Sequence, residues 1–203
     1  MQPPERLVPL NQPSLGEAEE ATVTAAIRSG WVTTGPAVDE LEARFARLIG
    51  RQYAGAVSSG TSALEAALVG LRIGPGDFVL SQSYVCDAVA NAVHRVTHRA
   101  PLVSDVDPET WSMAARPDRD ECEAWDREGR LWPFHVALGR VKAVILAHTY
   151  GVPARDLIEV RDACRARKIP LIEDCSEAHG AALDGRPVGV FGDVAVWSMR
   201  GEK

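Results

Sequence analysis

The sequence predicts an α/β fold of three layers, αβα, built on a mostly parallel sheet. Two observations lead there. Short apolar segments with strand character recur along the chain, and segments with helical spacing separate several of them. That is the pattern of a parallel sheet covered on both faces. The composition agrees: 46% hydrophobic and 25% charged residues over 203 positions suit a folded domain and exclude a disordered or fibrous chain.

The elements follow in order. After a Pro-rich lead, Ser14 is placed to cap a helix over about 15–29, with Glu17 completing a capping box and Gly30 as the stop. Residues 31–36 (WVTTGP) read as a loop, given their β-branched residues and Gly-Pro break. Val38, Leu41, Phe45 and Leu48 stand at helical spacing in a second helix closed by Gly50. A short strand is expected at 53–57, then an Ala/Leu-rich helix at 60–71. Further strands are expected at 78–80, 101–104, 143–147, 170–173 and 194–198, with helices at about 87–94 and 154–168. Residues 113–140 break this rhythm with Arg, Asp, Glu and Trp, and read as an excursion carrying one exposed helix. Without repeats or a linker, the chain reads as one domain: a helix and loop over 1–37, then an αβα core over 38–203. It stops at Lys203, directly after an apparent strand, where an incomplete domain is an open reading.

Charge and cysteine usage remove several functions. Lys and Arg total 22 against 28 Asp and Glu, a formal charge of −6, with no basic footprint for nucleic acid. The longest apolar stretches, such as 141–147 (VKAVILA), fall far short of the roughly 20 residues a bilayer requires. The start, MQPPERLVPLNQP, has no apolar core behind a basic segment, so no secretory signal is expected. Cys86, Cys122, Cys164 and Cys175 lie far apart with no C-x-x-C pair. They read as reduced thiols of a cytoplasmic protein, not a disulfide frame or a zinc site.

Three stretches carry possible chemistry. In 57–62 (VSSGTS) a strand runs into a helix through small hydroxyl residues and one Gly, a pattern that serves either an anion site or a plain helix cap. It is not a P-loop, since no Gly-Lys-Ser/Thr follows, nor a nucleophile elbow, since G-x-S-x-G is absent. In 172–180 (IEDCSEAHG), Asp174 stands where a buried parallel strand ends, the edge at which open α/β sheets bind ligands. A carboxylate there meets a cation, a metal or a protonated ring nitrogen, or serves loop hydrogen bonding alone. Glu177 and His179 are its polar neighbours. The third stretch, 192–203 (GDVAVWSMRGEK), ends on Lys203. A phosphate cradle, a carboxylate for a ring nitrogen and a lysine for a Schiff base together fit pyridoxal 5'-phosphate (PLP), with no metal required. No G-x-G-x-x-G opens a helix after the first strand, which leaves a dinucleotide-binding reading the weakest.

At this point the sequence resembles the DegT-type sugar-nucleotide aminotransferases, a branch of the fold-type-I PLP enzymes. The resemblance rests on SGWVTTGP (29–36), SSGTSALEAAL (58–68), IGPGDFVL (73–80), DVDPET (105–110), AHTYG (147–151), IEDCSEAHGA (172–181) and GDVAVWSMRGEK (192–203), in family order. It implies that the chain is the N-terminal part of the PLP-binding large domain, incomplete and lacking a small C-terminal domain. It implies Lys203 as the Schiff-base lysine and acid-base group, and Asp174 as the partner of the ring nitrogen. Ser198 with the backbone at Gly60, Thr61 and Ser62 would be the phosphate cradle. Glu177 would stand beside the ring hydroxyl, protonated or sharing a proton. The ring-stacking position falls at Cys86, with Tyr84 the nearest aromatic. Trp31, Thr33 and Thr34 would belong to a loop lining the active site near a homodimer interface. The implied reaction is amination of a nucleotide-linked keto sugar, with glutamate as donor, in amino-sugar or polysaccharide biosynthesis. A sugar dehydratase using the same cofactor, or a non-catalytic cofactor-binding or regulatory relative, are the alternatives; a lysine at 203 speaks against the dehydratase.

Overall fold

The computed structural model describes residues 12–113, 123–125, 131–133 and 141–201. In chain order its helices are α1 (Glu17–Ser29), α2 (Pro36–Ile49), α3 (Gly60–Gly70), α4 (Asp87–Thr97) and α5 (Leu157–Arg167). The strands are β1 (Val79–Gln82), β2 (Leu102–Ser104), β3 (Glu123–Trp125), β4 (Leu131–Pro133), β5 (Ala143–Ala147), β6 (Leu171–Asp174), β7 (Ala182–Leu183), β8 (Arg186–Pro187) and β9 (Val194–Val196). Seven of them form one sheet in the order β4-β3-β2-β1-β5-β6-β9. The run β2-β1-β5-β6-β9 is parallel throughout, as the apolar segments predict.

Side-chain alternation divides the core between the two faces of this sheet. Leu80, Val144, Leu146 and Leu171 point to one face and pack with Leu157, Val160 and Cys164 of α5. Val79, Ala143, Ile145 and Ile172 point to the other and meet Leu64 and Leu68 of α3 and Val89 and Val93 of α4. These side chains are almost fully buried, and each large one contributes about 1.5–3 kcal/mol by leaving water. Helix α3 needs that burial, because its sequence carries no charge in its first or last turn.

Several expectations require correction. Helix α1 is capped by Gly16 rather than Ser14, and the returning carboxylate is Glu19, whose Oε2 accepts the Gly16 N–H at 2.7 Å. Residues 53–57 form no strand. They pair with no described strand; Ala56 N–H instead donates to Glu42 Oε1 at 2.7 Å. Of the 113–140 excursion, the described residues 123–125 and 131–133 are strands, β3 and β4, which pair antiparallel and extend the sheet beyond β2; the helix expected there lies outside the described residues. The β7–β8 hairpin was not anticipated. Its turn, Asp184-Gly185, has positive φ at both residues (50° and 73°), the signature of the Asp-Gly hairpin turn.

Candidate active site

The parallel register brings one row of residues to a single sheet edge. Ala147 of β5 stands opposite Asp174 of β6, and Asp174 opposite Val196 of β9. The loops that leave these strand ends, together with the start of α3, form the site. This is the carboxyl edge of a parallel sheet, where such folds take ligands.

At the start of α3 the free N–H groups are dressed with hydroxyls. Ser59 caps the helix, its Oγ accepting the Ser62 N–H at 3.1 Å. Ser62 Oγ lies 3.1 Å from Ser58 Oγ and 3.0 Å from Ser59 Oγ. Gly60 presses directly on the segment after β9. A Cβ added there would lie 3.4 Å from Ser198 Cβ, 3.6 Å from Ser176 Oγ and 3.7 Å from Ser198 Oγ. Serines from three stretches of chain therefore converge on one helix start, in van der Waals reach of Gly60. Thr61 is the second residue of the same turn.

Asp174 lies two residues from Ser176 and accepts its N–H on Oδ1 at 3.0 Å. Asp174 is a buried residue, 7% exposed, at the carboxyl end of β6. Its backbone is fixed from both sides: its carbonyl accepts the His148 N–H at 3.0 Å, and Cys175 N–H donates to the Val196 carbonyl at 2.8 Å. Glu177 is exposed, and its Oε2 accepts the Tyr150 N–H at 2.9 Å. His179 packs against the Trp197 ring, centroids 5.4 Å apart.

Tyr84 stands in an aromatic group beside the edge. Its ring lies 5.3 Å from Trp111 and 6.2 Å from Tyr150 between centroids, and its hydroxyl is 2.5 Å from that of Tyr150. The hydrogen bond to Tyr84 holds the Tyr150 hydroxyl above its usual range, and the charge of Glu177 adds to the effect. Cys86 is instead the exposed residue preceding α4, with Sγ 3.5 Å from Asp87 Oδ1. In the 31–36 loop, Trp31 N–H donates to Ser29 Oγ at 3.1 Å and the Trp31 ring covers Gly35. Thr33 and Thr34 are exposed in that loop. Lys203 lies outside the described residues, as does Cys122.

Sequence reasoning missed the polar groups beneath this edge. Gln82, buried in β1, accepts the Ala147 N–H at 2.9 Å and turns its amide toward Thr149 Oγ1 (2.9 Å) and the carbonyls of Tyr84 and Trp111 (3.2 Å each). Glu173, fully buried, accepts four donors: His148 Nε2 (3.2 Å) and Gly189 N–H (2.8 Å) on Oε2, Phe191 (2.7 Å) and Gly192 (2.6 Å) N–H on Oε1. Because His148 Nδ1 accepts the Ala154 N–H at 3.0 Å, Nε2 carries the proton that Glu173 accepts. Burial pushes the Glu173 carboxyl up, but the bonds from His148, Gly192 and Gly189 outweigh it and hold it below the ordinary 4.5. His148, Glu173 and Cys175 lie close enough to suggest a metal cluster. Both imidazole nitrogens and both carboxylate oxygens already have partners, and burial followed by the neighbouring Glu173 and Asp174 charges pushes the Cys175 thiol well up. A polar residue inside an apolar strand was the available signal for Gln82 and Glu173.

Comparison with known proteins places this edge in context. Residues 13–203 match the sequence profile of the DegT/DnrJ/EryC1/StrS aminotransferase family. The chain belongs to that family. GDP-perosamine synthase of Escherichia coli O157:H7 is 33% identical over 199 residues, 98% of this chain and 50% of its own length. The crystal structure of the aminotransferase TlmJ from Streptoalloteichus hindustanus is 36% identical, with a TM-score of 0.78 over 97% of this chain and 50% of its own. Spr1654 from Streptococcus pneumoniae, solved in its PMP form, is 26% identical with a TM-score of 0.79, over 97% and 49% of the two chains. The chain thus spans about half the length of the relatives it matches. No helix among the described residues is long and apolar enough to cross a membrane.

Proposed function

We propose that this member of the DegT/DnrJ/EryC1/StrS family contributes the PLP-binding part of an aminotransferase that aminates a nucleotide-linked keto sugar, with glutamate as donor. The observation that carries the reading is the meeting of Gly60, Ser176 and Ser198 at the start of α3, two residues of chain from Asp174. A helix start dressed with hydroxyls suits a phosphate. A carboxylate on the next strand end suits a ring nitrogen that must stay protonated. The residues present therefore fit the cofactor.

In this assignment the backbone at Gly60, Thr61 and Ser62, with the Ser62 and Ser198 hydroxyls, binds the phosphate. PLP, when bound, supplies an electron sink beside the carbon that loses its proton. Asp174 stabilises the positive charge on the ring nitrogen, which strengthens that sink. Lys203, five positions after Ser198, holds the cofactor covalently and carries the proton as a free amine once released. Glu177 would face the ring hydroxyl, Tyr84 and Cys86 would border the ring, and Trp31, Thr33 and Thr34 would line the substrate side near a homodimer interface. A cytoplasmic location follows from the phosphorylated substrates this reading implies. The relative named GDP-perosamine synthase supports a sugar nucleotide as acceptor.

The test is product analysis. The protein, loaded with PLP and given a keto-sugar nucleotide and glutamate, is expected to yield an amino sugar and 2-oxoglutarate in equal amounts. Loss of water from the sugar without gain of nitrogen would replace this reading with a dehydratase.

A further inference from the structure

The segment that leads to Ser198 and Lys203 is gripped from two sides before it enters the sheet. Its N–H groups at Gly189, Phe191 and Gly192 donate to the buried Glu173 carboxylate. Its carbonyls at Gly189 and Gly192 accept from Arg51 Nε (2.8 Å) and Nη2 (2.6 Å), and that of Asp193 lies 3.5 Å from Nη1. Asp193 then joins β6 reciprocally: its N–H donates to the Leu171 carbonyl at 2.8 Å, and its Oδ2 accepts the Leu171 N–H at 2.8 Å. Gly192 passes so close to β6 that a Cβ would stand 2.7 Å from the Leu171 oxygen. Five residues after Asp193 the chain reaches Ser198, against Gly60.

We infer that Glu173 and Arg51 are positioning residues, which together fix the height of β9 on the sheet and so set Ser198, and the chain that follows it, relative to the α3 cradle. A buried carboxylate with four donors is far more than β9 requires to pair, since its ladder with β6 is already complete. Arg51 is half-buried and reaches this loop from beyond α2, across about 140 positions of sequence. Both ends of the grip act on the same five-residue loop, and the neighbouring Asp174 follows Glu173 directly on β6. The device thus ties the position of one cofactor-facing residue to that of another. The inference rests on the PLP reading above.

The experiment compares Glu173→Gln, Arg51→Lys and the double variant with the unaltered protein, each loaded with PLP. Four quantities are read: melting temperature, the pH midpoint of the absorption band of lysine-bound PLP, kcat per lysine-bound site, and KM. Misplacement of the lysine is expected to shift the midpoint and lower kcat on the order of a hundredfold with little change in the KM for the donor. The double variant should be no worse than the poorer single one, because both act on one loop. Should Glu173→Gln fail to fold, Arg51→Lys, which buries no new polar group, decides alone. Variants that melt lower but keep the midpoint and the per-site kcat would overturn the inference and leave a purely structural grip. Absence of any lysine-bound band in the unaltered protein would instead overturn the PLP reading itself.

Discussion

At the scale of single residues, the site depends on what Asp174 can do that its amide cannot. Its Oδ1 accepts the Ser176 N–H, a bond that Asn also makes through its carbonyl oxygen. Asp174→Asn therefore leaves the loop geometry and the melting temperature close to those of the parent. What it removes is the negative charge that favours protonation of the ring nitrogen. The expected result is a fall of at least about a hundredfold in kcat, with PLP still bound through the cradle. Steady-state kinetics beside a cofactor titration checks it. Asp174 and Gly60 were legible in the sequence, because a carboxylate at a strand end and a Gly among serines before a helix each carry a local signal. Arg51 was not, because its partners lie about 140 positions away and no spacing rule reaches that far. Cys86 fell between: its alignment position suggests the ring, while the side chain sits exposed before α4 and the aromatic surface is made by Tyr84, Tyr150 and Trp111.

At the scale of elements, the loop before β9 is held by Glu173, Arg51 and Leu171 together. Gly192→Ala would drive a methyl group into the Leu171 carbonyl at 2.7 Å, against backbone that cannot swing aside. A loss of about 1–3 kcal/mol is expected, measurable by urea unfolding. The Glu173 carboxyl adds a pH signature. Its folded value lies below the ordinary 4.5, so its contribution is fully present above that value and is lost as the pH falls through the folded one. Asp107 acts in the same direction: burial opposes its charge, but the Thr110 and Glu109 N–H groups and Arg155 hold it low. Unfolding free energy is therefore expected to fall as the pH drops below the ordinary carboxylate range, and Glu173→Gln should flatten part of that slope. The helices and the parallel strands were readable from periodicity because each buries a patterned face. The segment 53–57 misled for the same reason. Its composition is that of a strand, but strand formation requires a paired neighbour, and it pairs with none of the described strands.

At the scale of the whole molecule, the five parallel strands align their carboxyl ends so that residues far apart in sequence meet on one edge. Asp174 comes from β6, Ser198 from the segment after β9, and Gly60 from the start of α3, while α5 closes the opposite face. The arrangement leaves the lysine to be located by chemistry. The sequence has three lysines, Lys142, Lys168 and Lys203, of which Lys142 precedes β5 and Lys168 ends α5, both away from the carboxyl edge. Loading the protein with PLP, reducing with borohydride and mapping the modified peptide distinguishes them. The account predicts the phosphopyridoxyl label on Lys203. A label on Lys142 or Lys168, or none on any lysine, would contradict it.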